Sequence, residues 1–230
     1  AFNGFIYGQI TPAVALATVS TGYGSALTLP NGYFFMPHVA GTFTLMVNVP
    51  GYVPYSAAVT VGELKVATVN IALVSTTPPS APTLDAVASP TRVSPQTIKG
   101  TKDENTSILL NGTEIVPRNQ QTFWSYNLTL SEGSNPISLT SKNDAGLVSV
   151  ATAGTIVLDT TIPVTMADPV GGLYSSAQRV SLIVSEDAVI YYTMDGANPT
   201  ESSSQYISPI PITATTTLKY FARDVAGNVE

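Results

Sequence analysis

Residues 123–130 read FWSYNLTL, and the order of these side chains decides the fold. Trp124, Tyr126, Leu128 and Leu130 fall on one face of an extended chain, and Phe123, Ser125, Asn127 and Thr129 fall on the other. A period of two marks a strand with one buried face. The same period recurs at TFTLMVNV (42–49), VATVNIAL (66–73), RVSLIVS (179–185) and TTTLKYFARD (215–224). No stretch carries a helical period of useful length. PAVALATV (12–19) has the alanines of a helix, but its valines and flanking glycines favour a strand. The expectation is an all-β chain.

Turn residues punctuate these stretches. Asn31-Gly32, Asn111-Gly112 and Asp195-Gly196 are strong turn signals, because both members of such pairs tolerate positive φ. Asn111-Gly112 separates SILL from TEIV, which reads as a hairpin, and Asp195-Gly196 after AVIYYTM reads the same way. YISPIPIT (206–213) is proline-rich and suits an edge strand. VSTTPPSAPT (74–83) is a stiff, extended joint, and a second joint lies in LDTTIPVT (158–165). The chain is therefore expected to form three tandem β-sandwich domains, 1–75, 76–161 and 162–230. NDAGLVS (143–149) echoes DVAGNVE (224–230), each after an alternating strand.

Composition bounds the function. Of 230 residues, 44% are hydrophobic and only 10% are charged, while 30 are Thr and 22 are Ser. That balance leans toward an extracellular or cell-surface setting rather than a cytoplasm. The net charge is -6 with nine Lys and Arg and no basic run, which argues against nucleic acid. No Cys is present, so disulfides, thiol nucleophiles and Cys-based metal sites are excluded. No run is long and apolar enough for a transmembrane segment, and no basic leader with an apolar run opens the chain.

Few residues carry chemistry. His38, the sole histidine, has no carboxylate or nucleophile near it in sequence and reads as an ordinary loop or surface residue. Asp103-Glu104 and Glu186-Asp187 are adjacent acidic pairs. Adjacent strand residues point to opposite faces, so neither pair makes the facing carboxylates of a glycosidase, and both read as solvated turns. Asp144 and Asp224, each just before an Ala-Gly turn, are places for a structural ion, and Asp195 lacks the oxygen donors of a calcium loop. No catalytic, cofactor or metal residue is assigned. Trp124 and Tyr126 are candidates for a sugar-stacking platform, although sharing a face with Leu128 and Leu130 favours core. Tyr23, Tyr33 and Tyr52 beside glycines are candidates for an interface.

Three resemblances accompany this reading. YYTMDGANPT, SSSQYISPIPIT and TTTLKYFARDVAGN, within about 165–230, resemble the chitobiase/beta-hexosaminidase C-terminal-like domain. That resemblance implies a small immunoglobulin-like sandwich that is not the catalytic part of its parent proteins. GFIYGQI, with Asn31-Gly32-Tyr33, Ala40-Gly41-Thr42 and Pro50-Gly51-Tyr52, is similar to the carboxypeptidase regulatory-like family over about 1–74. It implies a transthyretin-like sandwich; Asn31 stands where that family often has Asp, and either residue makes the turn. GTKDENTSILLNG, EGSNPISLTSKNDAG and LDTTIP resemble bacterial immunoglobulin-like repeats over about 84–161.

The functional expectation is a non-catalytic structural component of a bacterial cell surface or extracellular filament, acting as a multi-domain stalk or scaffold. The alternative is a carbohydrate-binding accessory module of a larger secreted enzyme or adhesin. Self-association is expected as one mode of partnership. The third block has no counterpart of TIVL (155–158) after its Ala-Gly turn, and AFNGFIYGQI is a candidate donor strand for such an edge.

Overall fold

The computed structural model describes residues 2–230, and no helix occurs among them. The first stretch forms β1 (Gly4–Thr11), β2 (Thr18–Thr21), β3 (Gly24–Leu27), β4 (Tyr33–His38), β5 (Gly41–Val47), β6 (Tyr55–Val61) and β7 (Val66–Ala72). They make two sheets, ordered β4-β1-β7 and β3-β2-β5-β6. β1 runs antiparallel to β4 and parallel to β7. Alternate residues of both sheets meet in one core: Ile6, Ile10, Phe34 and Ile71 from one, and Val19, Leu45, Val47 and Val61 from the other. Each such side chain taken from water contributes about 1.5–3 kcal/mol, which makes this core the main stabilising element of the sandwich.

Gly8 shows how tightly β1 is held. A Cβ there would sit 2.0 Å from the Val69 carbonyl oxygen and 2.8 Å from the Phe34 ring. Only glycine lets the parallel neighbour and the core ring approach so closely.

Two expectations for this region are corrected. PAVALATV is not a strand: Ala15-Leu16 is a turn, and the strand begins only at Thr18. Leu16 adopts φ 57°, which breaks any alternation. Thr28 then organises the loop. Its Oγ1 donates to the Val14 carbonyl and accepts from the Ala17 N–H at 2.9 Å. Nor is AFNGFIYGQI a spare strand. β1 is bonded on both edges, and Ile6 and Ile10 have no exposed surface. Lending it to another chain would dismantle its own core.

The middle stretch forms β8 (Gln96–Thr101), β9 (Thr106–Leu110), β10 (Thr113–Asn119), β11 (Phe123–Leu128), β12 (Gly133–Lys142) and β13 (Thr152–Leu158). The sheet orders are β10-β9-β12-β13 and β11-β8. Thr113 pairs with Leu110, so Asn111-Gly112 closes a two-residue hairpin. Their φ values, 50° and 84°, are those of a type I′ turn.

The last stretch forms β14 (Thr165–Asp168), β15 (Gln178–Val184), β16 (Ala188–Thr193), β17 (Ser204–Gln205), β18 (Ile210–Ile212) and β19 (Lys219–Asp224). The orders β14-β15-β18 and β17-β16-β19 give two small sheets. They share a core of Val180, Leu182, Ile190, Ile210 and Ala222. β18 lies on an edge, where Pro211 costs no ladder bond.

Asp195-Gly196 does not close a hairpin. β16 ends at Thr193, and its next partner is β17, with Tyr192 opposite Ser204. Asp195-Gly196 is one bend inside a longer loop. The Asp195 carboxylate accepts from the Ala197 N–H at 3.0 Å, and Gly196 takes φ 81°. Pro199 and the Thr200–Ser203 turn lengthen the connection past a two-residue return.

Packed by proximity, the chain forms two compact units. One holds Ala1–Pro82, Thr101–Trp124 and Leu139–Ala151; the other holds Thr83–Gly100, Ser125–Ser138 and Thr152–Glu230.

Candidate functional site

A groove opens at one end of the last sandwich, between two loops. The β14–β15 loop supplies Pro169, Gly171-Gly172 and Ser175-Ser176, residues that break strands and leave the backbone free to bend. The β18–β19 loop supplies the Thr-rich stretch 213–217. Both loops reach the same end because β15 pairs with β18, with Gln178 opposite Ile212.

The groove has two lobes of about 400 and 410 Å³, which share Gly172, Tyr174, Gln178, Ile212 and Thr216. Tyr174 stands at their junction, 43% exposed. Its hydroxyl donates to the Val170 carbonyl at 2.6 Å. A side chain at residue 172 would touch its ring at 3.5 Å, so the ring lies over a backbone kept bare. Gln178 is anchored by donation from Nε2 to the Ser176 carbonyl at 3.0 Å. Val180 and Leu218 give the first lobe an apolar lining, and hydroxyl residues dominate the second. No Asp, Glu, Lys, Arg or His lines either lobe.

A second feature lies on the outer face of β4-β1-β7. Phe5 and Phe35 stack with ring centroids 5.0 Å apart, and Tyr7 and Tyr33 at 5.7 Å. Phe5, Tyr7 and Phe35 are all more than a third exposed. β1 and β4 thus carry apolar side chains on both faces.

The structure also gathers Asp159, Glu186 and Asp224, whose carboxylate oxygens lie within 4.8 Å of one another. Asp224 is buried and fixed by its own turn. Its Oδ1 accepts from the Gly227 and Asn228 N–H groups at 2.6 and 2.7 Å, and its Oδ2 accepts from Asn228 Nδ2 at 2.7 Å. Burial alone would raise its pKa, but these bonds outweigh it and hold the carboxyl below its ordinary value. Glu186 goes the other way. Desolvation first, then the charges of Asp159, Asp224 and Glu132, push it up. Its Oε1 is shut from solvent with no hydrogen-bond partner. The reading of Glu186 as a solvated turn residue is therefore corrected. Oxygen donors of this kind suit hard cations, while both oxygens of Asp224 already accept from Gly227 and Asn228.

The residues singled out from the sequence are scattered. Trp124 is buried, and its Nε1 donates to the Thr101 carbonyl at 3.2 Å. Tyr126 is half-buried on the same strand. Tyr23 is exposed and meets Phe43 edge-on at 5.2 Å. Tyr52 packs against the first core, and Tyr33 belongs to the stacked outer face. His38 is a core residue rather than a surface one, with no exposed area. The Val39 carbonyl, 3.0 Å away, must accept from Nδ1, so Nε2 accepts from the Thr21 hydroxyl at 2.8 Å. Asp144 lies 3.8 Å from Arg118. Asp103 Oδ2 accepts from the Ser80 N–H at 2.7 Å. No residue of the β14–β15 loop is unusual by itself, and Thr215–Thr217, which the alternation of TTTLKYFARD assigns to a strand, lie instead in the loop before β19, which starts at Lys219.

Comparison with known proteins bears on the last stretch. Residues 169–230 match the family model of the chitobiase/beta-hexosaminidase C-terminal domain, in accord with the resemblance read there. The groove lies almost wholly within this match. No curated protein matches the chain. Among solved structures, the fibronectin(III)-like modules of Clostridium thermocellum CbhA align at 16% identity over 64% of this chain and 80% of that one, with a TM-score of 0.29. A DUF3823 family protein from Bacteroides ovatus aligns at 12% identity over 68% and 100%, with a TM-score of 0.29. The SGBP-B protein of the Bacteroides ovatus mixed-linkage glucan utilization locus, in complex with a mixed-linkage heptasaccharide, aligns at 15% identity over 96% and 58%, with a TM-score of 0.26. With scores in this range, the all-β sandwich assignment rests on the strands and sheets of the chain itself.

Proposed function

We propose that this chain is a non-catalytic, extracellular multi-domain module that presents a carbohydrate-recognition surface. The observation that supports this best is the uncharged, two-lobed groove walled by Tyr174. An open cleft with an aromatic wall, an apolar lining and scattered hydroxyl and amide groups suits a ligand with both CH faces and hydroxyls. Its lining holds no carboxylate, imidazole or amine to act as general base or to activate a hydroxyl, so recognition without turnover is the chemistry it supports. The three-domain division at 1–75, 76–161 and 162–230 belongs to this proposal, as do the regulatory-like and bacterial immunoglobulin-like identities of the first two blocks. The direct test is retention of the protein on a panel of insoluble polysaccharides, with product analysis of the supernatant. Retention without released sugar is the expected result. Passage through every polysaccharide, or release of oligosaccharides, would count against the reading.

A structural role in a surface or filament scaffold is the second reading. The exposed Phe5, Tyr7 and Phe35, stacked with one another and with the half-buried Tyr33, favour it, since apolar patches of this kind mark contact surfaces. Sedimentation of the protein with and without Phe35→Ser separates the two: assembly lost on that change, without loss of glycan retention, assigns the face to scaffold contacts.

A further inference from the structure

We infer that the groove binds a neutral, linear oligosaccharide with adjacent sugar units lying on either side of Tyr174. This rests on the carbohydrate-recognition reading and names the class of ligand and its placement. The geometry argues it in three steps. First, the two lobes are nearly equal in volume, and both are bounded by the same ring and the same amide of Gln178. A linear chain of units is the ligand that sets two neighbouring parts of similar size into two adjoining sites. Second, neither lobe has a charged lining residue, although the protein carries a net charge of -6. An acidic glycan would find no cation there, and a phosphate or sulfate group no counter-charge. A neutral polyol meets no unpaired buried charge. Third, the Tyr174 ring is fixed before any ligand arrives. Its hydroxyl is tied to Val170, and Gly172 leaves room beneath its ring. Preorganised aromatic rings bind with little loss of rotamer freedom.

The lobes divide the labour. The first, with the half-buried Leu218 and Tyr220 over the buried Val180, offers apolar surface to a CH face. The second, with Ser175, Ser176, Thr213 and Thr215, offers hydroxyls to sugar hydroxyls. A single sugar occupies one lobe and forgoes the contacts of the other.

Isothermal titration of the full chain with cello-, xylo-, malto- and chito-oligosaccharides, from monomer to tetramer, tests the proposal, with oligogalacturonates as the acidic probe. One neutral series is expected to bind, with affinity rising by about tenfold or more from monomer to dimer. Binding should be insensitive to salt. Tyr174→Ala should lower it by about tenfold or more, and Gln178→Ala should weaken it. Tyr174→Phe, which keeps the ring and loses only the tie to Val170, should stay within a few fold, and its circular dichroism shows whether the loop still folds. Equal binding by Tyr174→Ala, Tyr174→Phe and Gln178→Ala would overturn the groove assignment while leaving carbohydrate recognition standing elsewhere. Preference for oligogalacturonates would overturn neutrality. No binding of any oligosaccharide or polysaccharide would remove both this inference and the reading on which it rests.

Discussion

Asp224 and Glu186 carry opposite pKa shifts, and the physical reason is hydrogen bonding. Asp224 receives three donors from Gly227 and Asn228, whereas Glu186 Oε1 receives none and faces other carboxylates. The signs give opposite pH dependences. Glu186 is raised in the folded chain, so its penalty is absent below the unfolded carboxyl value, about 4.3, and grows as pH rises through the folded value. Asp224 is lowered, so its contribution is present above about 3.9 and is lost as pH falls through the folded value. Thermal unfolding in a chelating buffer should therefore show the last sandwich most stable in mild acid. Glu186→Gln should raise its melting temperature at neutral pH and flatten the decline between mild acid and neutrality. An unchanged slope in that variant would mean the Glu186 carboxylate is not under the pressure the geometry implies.

Gly8 supports a second prediction at this scale. Its missing side chain makes room for Val69 and Phe34. Gly8→Val should destabilise the first sandwich by about 1–3 kcal/mol or more, as overpacking of a filled core does. Urea unfolding followed by the near-ultraviolet signal reads this directly. A change within a few tenths would show that β7 yields easily.

At the scale of elements, the echo between NDAGLVS and DVAGNVE is structural. Lys142 bridges Val148, and Arg223 bridges Val229. The Ser149 N–H donates to the Ser141 carbonyl as the Glu230 N–H donates to that of Ala222. The side chains of Ser149 and Glu230 accept from the N–H groups of Ser141 and Ala222 at 2.9 and 3.1 Å. The equivalent of Asp224 is therefore Asn143, as the register of NDAG on DVAG gives, and Asp144 stands where the last sandwich has Val225. Asn143 Oδ1 accepts from the Leu147 N–H at 2.9 Å, as Asp224 Oδ1 accepts from that of Asn228. The turn needs an acceptor, not a charge. Asn143→Ala should thus cost the middle stretch about 1 kcal/mol or more, since a turn acceptor is lost. Asn143→Asp keeps this acceptor and loses only the exposed Nδ2 donation to the Thr77 carbonyl at 3.1 Å, so it should lose less than Asn143→Ala, whose melting temperature is the reference. Equal loss in both variants would contradict the acceptor argument.

β1 is the other informative element. It is the central strand of its sheet, so deletion of residues 1–8 should unfold the first sandwich rather than merely expose an edge. Circular dichroism of the truncated chain checks this. Retention of a cooperative first transition would show that β4 and β7 can close without β1.

For the whole molecule, local pattern and tertiary contact determined different things. The strands were legible because burial on one face imposes a period of two on neighbouring residues, as Trp124 and Leu130 show. Asn111-Gly112 was legible because positive φ is a property of the residues themselves. The loop around Asp195 was misread because its length depends on where β17 pairs, not on the dipeptide. PAVALATV was misread because Thr28, eleven residues beyond Ala17, decides its path. The groove was invisible for a related reason: Tyr174 and Thr216 are ordinary loop residues until β15 pairs with β18. Asp159, Glu186 and Asp224 likewise become neighbours only in the folded chain. Neighbouring residues alone specify an all-β chain and its type I′ hairpin, because alternation and φ preference act between adjacent residues. Which loops line one groove and which carboxylates face one another follow from the folded strand order, which joins long stretches of chain.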